Sequence, residues 1–266
     1  MHQILCQFRI TTRLLFIVIC PVIYALVVGG WLILQLHQEV DENRAAIGLM
    51  EMISALDQVV NSNAAERGLA MGWIASKGSR FGSQWQEARQ HSDAAQQHLE
   101  TLLQTYPDNA RTLSYLQQLL SRRDTLREQA MRYDSKGVFL AYSQINQAAL
   151  DNMTLQVGQF NLEQLRSEGM GLLAVLWLKE QAAQIRGTVN GILTANQATA
   201  TDLLKLNQLE AEEQRQWEII QNLDLPTLKA SLSQWRDSPD SLQVTKAREY
   251  LARQGAGPYP DLDAQT

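Results

Sequence analysis

Two arginines, Arg67 and Arg186, stand in matching surroundings 119 residues apart. In each copy the pattern is R-G-x-x-x-G followed by two apolar residues. The first copy has Arg67-Gly68, Gly72 and Trp73-Ile74, the second Arg186-Gly187, Gly191 and Ile192-Leu193. A guanidinium is planar, permanently charged and carries a fork of donors, which matches a planar or tetrahedral oxyanion in geometry as well as charge. Neither arginine has a carboxylate three or four residues away in its own helix. Arg67 has Asn63, Ala64, Ala70 and Met71 there, and Arg186 has Ala182, Ala183, Val189 and Asn190. Two such groups brought within about 6 Å would repel by roughly 3 kcal/mol at an effective dielectric of 20, so a small anion is expected between them. Asn190 and Lys179, the latter two turns before Arg186 on the same face, supply further donors. The competing arrangement is pairing with acids on other helices, Glu66 or Glu180 among them, and at the level of sequence both stay open.

The glycines ask for a reason of their own. Each costs a helix about 1 kcal/mol relative to alanine. Small residues recur at every fourth position, as Ala64, Gly68, Gly72 and Ser76 and again as Ala183, Gly187, Gly191 and Ala195. That period keeps them on one helix face, where they let another element approach closely. The two stripes are expected to face each other or matching partners.

The elements that position these residues read as helices. Helix formers dominate, prolines number 6 in 266 residues, and alternating strand patterns are scarce, so an all-α protein is expected. Past residue 36 the periodicity predicts helices over 37–76, 84–105, 109–133, from 138 to about 159, 172–206, 208–222, 226–236 and 240–253. The breaks fall at KGSRFGS, Pro107, DSKG and Gly169–Gly171, with Pro226 and Ser238 as start signals. About eight helices joined by short loops most simply make antiparallel bundles. The end of the chain, 256–266, reads as a loose tail.

Composition narrows the function. A net charge of −5 without a basic stripe interleaved with aromatics argues against nucleic acid as a partner. His91 and His98 lie near Glu87 in a stretch polar all round, which reads as a solvated face rather than a metal site. There is no nucleophile-base set, phosphate loop or metal-spaced cluster, so no enzyme and no cofactor is expected. Both cysteines, Cys6 and Cys20, sit at the N-terminal end, leaving the rest without a thiol, which suits an oxidising compartment.

Residues 14–36 run 23 positions without a charge, and roughly 20 apolar residues span a bilayer. Arg9 and Arg13 precede the run while Glu39, Asp41 and Glu42 follow it. The positive-inside rule then puts 1–13 in the cytoplasm, an uncleaved single-pass anchor at 14–36 in a bacterial inner membrane, and 37–255 in the periplasm.

The stretches Glu66-Arg67-Gly68 and Lys179-Glu180…Arg186-Gly187…Asn190, with AYSQINQAALDNM at 141–153, resemble the nitrate- and nitrite-sensing (NIT) domain family of bacterial membrane receptors. The likeness covers roughly 40–255. Ile185 stands where an acidic residue often precedes the second arginine, and Gln184 replaces a frequent glycine. The resemblance implies two antiparallel four-helix bundles, with Arg67 and Arg186 clasping nitrate or nitrite and helix movement as the signal. For any further ligand arginine it leaves Arg122, Arg123, Arg127 and Arg132 unranked. No kinase, cyclase, methyl-accepting coiled coil or RNA-binding output is legible in the 266 residues, so either a separate signalling protein reads the domain or the chain is a shortened receptor, and the expected partners are a second copy in a homodimer or that signalling protein. The rival expectation is a membrane-anchored helical scaffold that binds no anion and whose arginines pair with acids inside the fold.

Overall fold

The computed structural model describes residues 10–134, 137–161, 163–195 and 197–258; the side chains at 10–18, 20, 38, 41, 42, 108, 190, 193–195 and 240 fall outside it. Among the described residues there are ten helices and one two-stranded ladder. The chain divides into two compact units, Met1–Gly48 and Leu49–Thr266.

Helix α1 runs Ile10–Ala75. Within the first unit its large apolar side chains, among them Ile23, Leu26, Trp31 and Leu34, are exposed. Among the described residues no helix is long and apolar enough to cross a membrane. Part of the anchor expected at 14–36, namely the side chains at 14–18 and 20, lies outside the described residues.

In the second unit α1 ends in a tight turn. Lys77, Gly78 and Phe81 all take positive φ, and α2 (Gly82–Thr105) follows. The single helix expected over 109–133 is broken into α3 (Asp108–Thr112), α4 (Ser114–Leu120) and α5 (Arg123–Met131). The cause is local: the hydroxyls of Thr112, Ser114 and Ser121 each donate to the carbonyl three residues back, which competes with the helical ladder. Gly137, at φ 82°, then opens α6 (Val138–Gly158).

Helix α7 (Glu163–Ala195) corrects the sequence reading twice. It begins nine residues before the expected 172, with Gly169 and Gly171 inside it. These glycines mark close approach rather than a break, since a Cβ at Gly169 would lie 2.9 Å from Val157 and one at Gly171 2.5 Å from Leu225. It also ends near 195 instead of 206. Thr199 caps α8 (Ala200–Asn222) through a reciprocal pairing with Asp202, a T-x-x-D start signal that the helical periodicity conceals. Residues Gln197–Ala198 pair antiparallel with Gly257–Pro258, so the start of the tail expected to be loose is held in a ladder; 259–266 lie outside the described residues. Helices α9 (Pro226–Arg236) and α10 (Pro239–Gln254) start where Pro226 and Ser238 signal them.

Burial follows the apolar periodicity. Ile185, Val189 and Ile192 of α7 share a core with Leu206 of α8 and Leu251 of α10, while Ala174 and Leu178 pack with Trp217, Ile220 and Leu232 of α8 and α9. Helix α6 packs on α4, α5 and α7. Its side chains carry both kinds of burial, with Ile145, Leu150 and Met153 beside Tyr142, Ser143 and Asn146.

Candidate anion site

Adjacent residues on a helix project about 100° apart, so Glu66 and Arg67 of α1 leave in different directions and each is buried. Glu66 accepts from Nε and Nη2 of Arg127 on α5 at 2.7 and 2.9 Å and from the Tyr142 hydroxyl of α6 at 2.7 Å. Arg127 also reaches Asp93 of α2 at 2.8 Å and Asp124 at 2.9 Å, and Arg123 joins through Asp93. Burial pushes the Glu66 carboxyl up, but the hydrogen bond and charge of Arg127, with Tyr142 adding to them, reverse this and hold it below the ordinary glutamate range. Asp93 is held low in the same way by Arg127 and Arg123. Burial and the Glu66 charge raise Tyr142 far above an ordinary phenol, so it stays a donor.

Arg67 faces α6 and α7. Its Nη1 donates to Glu180 Oε1 at 2.6 Å and to Ser143 Oγ at 2.8 Å, and its Nη2 to Glu180 Oε2 at 3.2 Å. Asn146 Nδ2 and Gln184 Nε2 donate to the same carboxylate at 2.7 and 2.9 Å. Asn63 of α1 reaches Asn146 Oδ1 at 2.7 Å and the Tyr142 carbonyl at 2.9 Å, tying α1 to α6 beside the pair. Arg67 and Glu180 are each 2% exposed. Breaking such a pair from one side leaves an uncompensated buried charge, which costs about 3–5 kcal/mol.

The guanidinium of Arg67 also lies 5.0 Å from the centre of the Phe139 ring, and Lys205 Nζ of α8 lies 5.1 Å from it. Burial, and then the positive charge of Arg67, lower the Lys205 pKa, offset in part by Asp202. Lys205 makes no hydrogen bond or ion pair among the described residues. The ring fits where α7 has no side chain, since a Cβ at Gly187 would lie 2.6 Å from it.

Five of the six residues read from the sequence line one open groove: Arg67, Gly68, Lys179, Arg186 and Gly187. Phe139, Glu180 and Lys205 line it too. Arg186 is exposed and, among the described residues, has no hydrogen bond or ion pair. Lys179 is exposed and donates to Asn61 Oδ1. The side chain of Asn190 lies outside the described residues.

Two alternatives left open by the sequence are resolved in the fold. Arg67 has its acid, on another helix. The glycine stripes do not pack against one another, although both line the groove: Gly72 takes the Phe81 ring, where a Cβ would sit 2.8 Å away, Gly187 takes Phe139, and Gly68 and Gly191 have nothing within 4 Å. Of the unranked arginines, Arg123 and Arg127 belong to the Glu66 network, Arg122 and Arg132 are exposed, and none lines the groove. Sequence reasoning passed over Phe139, Ser143, Asn146 and Lys205. For the three on α6 the available signal was their spacing of four and three, Phe139, Ser143 and Asn146, which puts them on one helix face.

Among solved structures, that of the NasR transcription antiterminator matches with a TM-score of 0.76 at 16% identity, over 88% of this chain and 65% of that one. The chain thus spans just under two thirds of that protein's length, and the likeness is one of fold. No curated protein matches the chain. The family described as nitrate and nitrite sensing, NIT, matches residues 58–266, a span that holds both arginines and every residue lining the groove, and the chain belongs to that family.

Proposed function

We propose that this chain is a membrane-anchored periplasmic sensor that binds nitrate or nitrite at the groove between Arg67 and Arg186 and signals by displacing helices. The observation that carries the reading is that the two arginines, 119 residues apart, line one groove in a chain of the nitrate and nitrite sensing family. Gly68 leaves open space beside Arg67, and Lys179 and Arg186 stand exposed at the same surface. Asn190 is proposed as a further donor on the sequence pattern, with Gly68 keeping its side of the groove open and Gly187 letting the Phe139 ring come near.

A ligand shifts a two-state helix arrangement only by its difference in affinity for the two states. Arg67 belongs to α1 and Arg186 to α7, so an anion held by both is sensitive to their separation. We read the second unit as two four-helix groups, one made of α1, α2, the broken helix α3–α5 and α6, the other of α7–α10, with the groove where the second group meets α1 and α6. The anchor rests on the uncharged run 14–36, on the apolar side chains that α1 exposes there, and on the charge asymmetry around it. The signal is read by a second copy or by a separate signalling protein.

One observation favours a second reading. Arg67 is paired with Glu180, as a scaffold without an anion would have it. Thermal unfolding of the chain in nitrate, nitrite, sulfate and chloride at matched ionic strength separates the two. A ligand that binds only the native state stabilises it by about 2.7 kcal/mol at a hundredfold excess over Kd. A rise with nitrate or nitrite alone, lost in Arg186→Ala, supports the sensor; no ion-specific rise supports the scaffold.

A further inference from the structure

We propose that Glu180 is a tethered competitor for the anion: its carboxylate holds the guanidinium fork of Arg67 that nitrate or nitrite would use, and ligand enters by exchange with it. The inference rests on the reading of Arg67 as a ligand residue. It starts from geometry. The two Glu180 oxygens take two different nitrogens of Arg67, at 2.6 and 3.2 Å. A carboxylate, a nitrate and a nitrite each offer two oxygens in one plane sharing a single negative charge, so one fork fits all three. With Arg67 and Glu180 both buried, a second anion on the same fork would meet the Glu180 charge at short range in poorly solvating surroundings.

The released carboxylate has somewhere to go. Asn146 and Gln184 donate to it independently of Arg67. Arg186 and Lys205 line the same groove and make no ion pair among the described residues. Passing Arg67 to the incoming anion and Glu180 to one of these cations turns one ion pair into two, so the exchange leaves no bare buried charge. It also removes a link between helices. Among the described residues the polar side-chain links from α1 to α7 are the Arg67–Glu180 pair and the Lys179–Asn61 hydrogen bond. The strength of the internal pair therefore sets both the threshold of the sensor and the helix contact that ligand undoes.

The test is titration calorimetry of the full chain in detergent with sodium nitrate and sodium nitrite against chloride, for wild type and Glu180→Gln. Sodium formate serves as a free carboxylate, and circular dichroism checks the fold. The expected result is nitrate or nitrite binding at least tenfold tighter in Glu180→Gln, and formate binding there but not in wild type. Equal or weaker binding in a folded Glu180→Gln, with wild type binding normally, overturns the competitor and makes Glu180 a residue that positions Arg67. No binding in either folded protein overturns the anion site itself. If Glu180→Gln does not fold, Glu180→Asp keeps the charge but draws it back by one methylene, and a severalfold gain in affinity supports exchange where an unchanged or reduced affinity overturns it.

Discussion

Glu66 and Arg67 are neighbours in the chain and opposite in charge, yet each spends its charge on a different helix. Glu66 pairs with Arg127 of α5, Arg67 with Glu180 of α7. One turn of α1 thus closes two buried ion-pair networks, and the two networks respond differently to substitution.

Arg67→Ala leaves the Glu180 carboxylate buried with no counter-charge, so a loss of about 3–5 kcal/mol is expected by urea denaturation. Arg186→Ala, exposed and unpaired, should change stability by no more than about 0.5 kcal/mol. Both should abolish stabilisation by nitrate or nitrite. An Arg186→Ala protein that still responds fully would remove that residue from the site.

The Glu66 network makes an acid-side prediction. Glu66 and Asp93 are held below their ordinary values in the folded state, so their contribution is present above about pH 4.5 and drains away as pH falls through the folded values. Asp93 is more than half exposed, which leaves Glu66 as the main source. Urea midpoints from pH 7 down to pH 3 should fall steeply below 4.5, and Glu66→Gln should be less stable at neutral pH with a flatter acid limb. Parallel curves would refute this.

The two R-G motifs should part company on alanine substitution. At Gly68 a Cβ meets nothing within 4 Å, so Gly68→Ala should gain about 0.5–1 kcal/mol from helix propensity. At Gly187 it meets the Phe139 ring at 2.6 Å, so Gly187→Ala should lose about 1–3 kcal/mol through overpacking. It should also shift the ring against which Arg67 and Lys205 rest, and with it the anion response. Thermal melts with and without nitrate measure both effects.

The proposed anchor is open to fractionation. The full chain should stay with membranes through alkaline carbonate washing, and a protease added outside spheroplasts should digest the part beyond residue 37. Release by carbonate would sink the anchor.

The helical class, the turn at KGSRFGS, and the starts at Val138, Pro226 and Ser238 were legible because each is announced by residues next to it in the chain. The breaks at 113 and 121 were not, since hydroxyls that cap a turn look like ordinary helix-surface residues until their bonds are made. The same limit governs the site. Arg67 and Arg186 stood out as charges without a local partner, with Lys179 on the same face as Arg186, and the groove brings all three to one surface. Glu180 could be named as a possible acid but not chosen, because the choice depends on how α7 packs. Phe139 and Lys205 matter only through a ring contact between α6 and α8, which no spacing within either helix encodes.

The Arg67–Glu180 pair spans 113 residues of chain. Closing a loop of that length costs entropy that local contacts do not, so contacts of this kind form after the helices they join. A growing chain exposes Arg67 long before residue 180 exists, and the guanidinium waits in water for its counter-ion. The groove is therefore a late product of folding, assembled only once α6 and α7 have returned to α1, and its integrity reports that the whole second unit is in place.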